Sequence, residues 1–169
     1  MNANSGQKPL DPALASFVTS QLSIVVAACS DAGESTLAWA LGARVTSNRQ
    51  RLTVLIPASQ ARDLLQCIGA NGSIAVVFNE PDTHQTVQIK GADARAEPLL
   101  ATDKASLEPY ISCLARRLQR YQVPEAFSRA FYSADPDDLV AVSFSPSAAY
   151  GQTPGPHAGE PLQQEGEAT

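Results

Sequence analysis

Residues 51–91 read RLTVLIPASQARDLLQCIGANGSIAVVFNEPDTHQTVQIKG. Arg51 to Pro57 is a short apolar run rich in branched residues, the composition of a strand. Ala58-Ser59 opens a helix with Ser59 as its N-cap, and Leu64, Leu65 and Ile68 supply a buried stripe. Gly69-Ala70-Asn71-Gly72 breaks that helix. Ser73 to Asn79 is a second apolar run, and Glu80-Pro81-Asp82 turns the chain. Gln85 to Arg95 then alternates Val87 and Ile89 against Gln88 and Lys90, as a half-buried strand does. The order is strand, helix, strand, strand.

Upstream, Asp11-Pro12 caps a short helix carrying Leu14, Phe17, Val18 and Leu22. Ser23 to Ser30 is a strand ending in the turn Asp31-Ala32-Gly33-Glu34, and Thr36 to Thr46 is the next. Gly42 inside it marks a bulge or a close backbone approach. Ser47 to Gln50 turns into Arg51, so three strands run as a meander. Downstream, Leu107, Ile111, Leu114 and Leu118 recur at helical spacing between Asp103, a cap, and Arg120. A second helix runs from Pro124 to Phe131, and Asp138 to Phe144 is the last strand. Strand and helix do not alternate as in a doubly wound sheet. The expected fold is mainly β with flanking helices: a six-stranded, largely antiparallel barrel. Residues 1–10 read as a flexible N-terminus and residues 11–150 as one domain. Residues 151–169, Gly-, Pro-, Gln- and Glu-rich, read as a disordered tail.

The 169 residues carry a net charge of -5, which argues against a nucleic-acid partner. Arg116, Arg117 and Arg120, the densest basic cluster, read as a solvated helix face. Only 17% of residues are charged, which fits a chain that hides surface in a subunit interface. Cys29, Cys67 and Cys113 form no CxxC pair, so no zinc or dithiol motif is present and no metal is expected. No apolar stretch reaches the roughly 20 residues of a membrane span, and the N-terminus lacks a signal core. The expectation is a soluble, cytoplasmic protein.

Dinucleotide, P-loop, zincin and nucleophile-elbow motifs are missing. His84 precedes the fifth strand and His157 falls in the tail, so neither supports a triad. The turn after Pro57 is the chemically suggestive place. A helix start offers free N–H groups, Ser59 a hydroxyl and Arg62 a bidentate cation, a set suited to phosphate. The same residues also read as a cap and a solvated arginine, and the sequence leaves both open.

This strand–helix–strand–strand block resembles the pyridoxamine 5′-phosphate oxidase-like family of FMN-binding split β-barrels. Gln152 to Pro156 also resembles the Gln-Thr-Pro-Gly-Pro with which members end. The resemblance spans about residues 14–156 and implies a split barrel, an FMN-dependent oxidoreductase and a homodimer with flavin between subunits. It leaves the electron donor and the substrate open, with a small molecule or NADH or NADPH as candidate partners. It assigns Arg44, Ser59 and Arg62 to the phosphate, Leu55, Ile56 and Pro57 to the isoalloxazine ring, and Gln85 and Thr86 to the ring's neighbourhood. Trp39 stands where the family places an upstream phosphate arginine, and Asp63 where it places a second cation. The C-terminal motif of true pyridoxamine phosphate oxidases is missing. The alternative is a non-catalytic sensor or storage module for flavin, deazaflavin or haem, with His84 as the ordered imidazole.

Overall fold

The computed structural model describes residues 9–162. Asp11 caps α1 (Pro12–Val18) as expected, accepting from the amides of Ala13 and Leu14. The strand runs form β1 (Ser23–Cys29), β2 (Ser35–Ala40), β3 (Ala43–Val45), β4 (Leu52–Pro57), β5 (Ile74–Asn79) and β6 (Thr86–Gly91). The remaining strands are β7 (Arg95–Glu97), β8 (Leu139–Phe144) and β9 (Ala148–Gly151). The helices are α2 (Arg62–Asn71), α3 (Ala101–Gln119) and α4 (Glu125–Phe131). Two antiparallel sheets result, β2-β1-β5-β6-β9 and β3-β4-β8-β7. The expected split β-barrel is what these sheets build, with nine strands among the described residues rather than six.

Three departures have local causes. The expected second strand divides into β2 and β3 because Gly42 adopts φ +152° and turns the chain from one sheet into the other. Around it, the Leu41 amide donates to the Leu55 carbonyl at 2.7 Å and the Leu55 amide donates to the Gly42 carbonyl at 3.0 Å. The expected fifth strand likewise divides, with β6 in the larger sheet and β7 in the smaller. Ser59 is not a cap: a 3-10 turn, Ala58–Gln60, comes first, and Ala61 precedes α2. Asp103, also expected to cap, is the third residue of α3 and accepts from the Leu100 amide instead.

The stretch expected to be a disordered tail is folded from Gly151 to Leu162. Gly151 ends β9 and its amide donates to Glu160. The Gly159 amide returns to Gly151, and Leu162 bonds Ala149, so residues 152–162 fold back along β9. Residues 1–8 and 163–169 lie outside the described residues, so the expectations for both termini are addressed only for 9–10 and 151–162.

The core lies between the sheets and under α2 and α3. β4 is buried along its whole length, while β1 and β5 alternate. Val26, Phe78, Ile89, Leu114 and Phe144 are fully buried. Tyr110 of α3 donates its hydroxyl toward the carbonyls of Leu22 (2.6 Å) and Ala40 (3.2 Å), pinning the helix across the ends of β1 and β2. Burial, with smaller contributions from Tyr132 and Cys113, pushes that phenol far above its ordinary value, so it stays protonated. At the far end of β4, Arg51 bonds Ser143, Ser145 and Asp93, and Asp93 accepts from the Ser145 amide and hydroxyl.

Gly42→Ala places a methyl 3.2 Å from Leu55 Cδ1 on a backbone that L residues rarely adopt. Urea unfolding should show a loss of about 1–3 kcal/mol. Burial alone raises the Asp93 carboxyl, but the Ser145 hydrogen bonds and Arg51 outweigh it and hold the group below the ordinary 3.8. A depressed folded value means stability that is present above about pH 4 and lost as pH falls through it. Asp93→Asn should therefore flatten the acid limb of a stability-versus-pH curve and leave its shape near pH 7 unchanged.

Candidate functional site

The residues expected to hold a cofactor separate into two groups at opposite ends of α3. The first surrounds its N-terminus. Arg44 on β3 donates from Nε to Asp103 Oδ1 at 2.9 Å, and the Asp103 side chain is only 4% exposed. The other Asp103 oxygen accepts from the Leu100 amide at 2.8 Å. One carboxylate therefore closes the first turn of α3 and neutralises Arg44.

Ser59, just past the C-terminal end of β4, is tied to Asp138. Its amide faces both oxygens of Asp138 at 3.1 and 3.2 Å, and its hydroxyl donates to Asp138 Oδ2 at 2.5 Å. Next to Asp138, Asp137 pairs with Lys104 on α3. Leu55, Ile56 and Pro57 are buried in β4. Leu55 has both backbone polar groups paired to the Leu41–Gly42 corner, so it presents neither to a ring. Arg62 opens α2, is exposed, and has no hydrogen-bond or ion-pair partner among the described residues. Asp63 follows it, also exposed.

The second group lies by the C-terminus of α3. The Gln85 carbonyl accepts from the Glu80 amide at 2.9 Å, leaving its side chain exposed. Thr86 accepts from Asn79 and donates to the His84 carbonyl, while its own amide donates to Thr153. Glu80 and Asp82 of the same loop pair with Arg117, and Asp82 also with Arg120. Of the three clustered arginines, Arg117 is thus sheltered and neutralised within the chain, while Arg116 and Arg120 keep the solvated face expected of them, Arg120 with an ion pair to Asp82. Fourteen residues of helix separate Asp103 from Arg117, about 21 Å at 1.5 Å per residue. Within one chain, Arg44 and Ser59 cannot meet Gln85 and Thr86. His84 is exposed at φ +61° in the turn between β5 and β6. His157 pairs with Glu160.

The five-stranded sheet adds a surface. Its face away from the core carries Leu37, Ala27 and Ala75 in one cross-strand row and Trp39, Val25 and Val77 in the next. Leu37 is 69% and Trp39 40% exposed. Trp39 meets Phe131 and Tyr132 edge-on, at ring separations of 5.5 and 6.1 Å. A shallow depression of about 330 Å³ opens on this face, lined by Ala27, Cys29, Ala75 and Lys90 among others. Among the described residues no three His, Cys, Asp or Glu side chains converge as a metal site, and no helix is long and apolar enough to cross a membrane.

No family model matches the chain, and no curated protein matches its sequence. Solved structures do. A tagged HupZ from Group A Streptococcus aligns at TM-score 0.53 and 12% identity, covering 89% of this chain and 100% of that one. A putative pyridoxamine 5′-phosphate oxidase from Lactobacillus delbrueckii aligns at TM-score 0.51 and 11% identity, covering 89% and 99%. The chain has the pyridoxamine 5′-phosphate oxidase-like split-barrel fold. At these identities the likeness speaks for the fold and leaves the chemistry to the residues.

FMN asks this split barrel for two things: a place for a planar ring and donors for a phosphate. The phosphate end does not fit as it stands. Arg44 serves Asp103, Ser59 serves Asp138, Asp63 flanks Arg62, and Trp39 packs on α4. Of the phosphate residues the resemblance implied, Arg62 alone is uncommitted among the described residues. The two carboxylates that decide this escaped the sequence reading. Asp103 was visible only as a helix-start signal, and Asp138 lies 79 residues from Ser59 with no local sign of contact.

Asp103→Ala strands a half-buried guanidinium and the Leu100 amide. It should cost about 1–3 kcal/mol in urea unfolding. A double-mutant cycle with Arg44→Ala should return a coupling of about 0.5–3 kcal/mol.

Proposed function

We propose that the protein binds a flavin-class cofactor at a seam between two copies of the chain and acts as a flavin-dependent oxidoreductase. The observation that carries this reading is the separation of the candidate residues. Arg62 lies three residues past Ser59, whose partner Asp138 adjoins the Asp137–Lys104 pair at the start of α3, whereas Gln85 and Thr86 lie by the other end of that helix, so in this reading one cofactor meets both sets where two copies combine. The apolar outer face of the larger sheet, with Leu37 and Trp39 exposed, supports such a pairing. The fold shared with the Lactobacillus delbrueckii protein, whose name assigns it oxidase chemistry, supports the cofactor class.

In this reading Arg62 draws the polar tail, while Gln85 and Thr86 offer side-chain polar groups to the ring edge. A bound flavin supplies hydride or electron transfer, so the protein needs few acids or bases of its own. NADH or NADPH is the donor, and the acceptor is a small molecule. The three cysteines are free thiols, which supports a reducing, cytoplasmic setting. FMN is the first form to test.

The purified protein should run as a dimer in light-scattering chromatography, and Val77→Asp on the outer sheet face should shift it to monomer with its circular dichroism unchanged. Incubated with flavin and desalted, it should keep the yellow ring absorption, and anaerobic NADH or NADPH should bleach it. A colourless protein that takes up neither FMN nor riboflavin overturns the reading.

A further inference from the structure

The turn after β4 holds an anion already. The Ser59 amide and hydroxyl converge on one carboxylate, that of Asp138, with contacts of 2.5 to 3.2 Å. A backbone N–H and a hydroxyl aimed at one charged group are the donors an external phosphate would use. Here the chain fills them itself, from the entrance of β8.

The placement of Asp138 is anchored on both sides. Asp135 caps the turn Pro136–Asp138 by accepting from the Asp137 amide, and Asp137 pairs with Lys104 on α3. Leu139, the next residue, is opposite Pro57 in the β4–β8 ladder. Register therefore sets Asp138 beside Ser59 whenever the barrel is folded. Arg44, across from Thr53 on β4, is neutralised by Asp103, and Asp63 follows Arg62 in sequence. An incoming phosphate would compete with Asp138 for its donors and meet like charge from Asp138 and Asp63.

We infer that Asp138 is a specificity-determining residue: it fills the Ser59 anion nest from within the chain and turns away ligands that carry a phosphate at this end. Resting on the flavin reading above, this narrows the cofactor class to flavins without a terminal phosphate, riboflavin being the simplest. The side chain does not touch reacting atoms. It sets which tail the barrel accepts.

Two measurements test this on the full-length protein. Quenching of flavin fluorescence gives the affinities of FMN and riboflavin for the wild type and for Asp138→Ala. The wild type should bind riboflavin more tightly than FMN, while Asp138→Ala should shift the preference toward FMN by about tenfold or more, the range of one charged hydrogen bond. Independently of any flavin, inorganic phosphate titrated into ¹⁵N-labelled protein should move the Ser59 amide resonance in Asp138→Ala and leave it in place in the wild type. Circular dichroism checks the fold, and Asp138→Ser serves if the alanine variant does not fold. A wild type that binds FMN as tightly as riboflavin or tighter, or a preference that is unchanged in Asp138→Ala, overturns the inference. So does a Ser59 resonance that responds to phosphate equally in both proteins or in neither. If neither protein binds any flavin, the flavin reading falls while the phosphate titration still decides the role of Asp138.

Discussion

Two backbone hydrogen bonds close the corner at which this barrel passes from one sheet to the other. Leu41 donates to Leu55, and Leu55 donates to Gly42, at the corner where the chain leaves the larger sheet for the smaller. Without that corner, β2 and β3 would lose their joint hold on β4, and crossings such as β6–β7 and β8–β9 would be left to join the two sheets. Gly42 makes it because its φ of +152° suits a residue without a side chain, and its open Cα lets Leu55 approach. The same bonds consume the polar groups of Leu55, so a demand of the fold removes a contact that a planar ring would otherwise have at that residue.

A similar trade recurs around the start of α3. Arg44, Lys104 and the Ser59 donors each have an internal carboxylate, Asp103, Asp137 and Asp138, and Arg62 is the cation of the group without a partner among the described residues. The Arg44–Asp103 pair is half sheltered from water, where losing either partner leaves a polar group without compensation. These contacts tie β3, the β4 turn and the entrance of β8 to one another and to α3. They make the end of the barrel self-contained electrostatically, and they bear on what it can recognise.

The opposite end of α3 is settled differently. Arg117 and Arg120 are drawn down onto Glu80 and Asp82, which leaves the Gln85 side chain exposed next to a neutralised loop. The length of the helix keeps this loop from the Ser59 turn in one chain. The uncovered outer sheet face, apolar at Val25, Ala27, Ala75 and Val77, has the chemistry by which a second copy would bring the two ends together.

The strand–helix–strand–strand order of residues 51–91 was legible because each element carries its own pattern: branched apolar runs, a helical stripe, a glycine breaker. Those signals act over a few residues, so the sequence alone determines the elements and the barrel class. It does not determine where a strand is divided between two sheets, as at Gly42 or between β6 and β7, because partner choice depends on residues far away. Nor does it show whether a polar side chain is free. Ser59 and Arg62 look alike as candidate ligands in the sequence, four residues of one basic, polar turn. Only the β4–β8 register, which sets Asp138 against Ser59 across 79 residues, decided that one is committed while the other has no partner among the described residues.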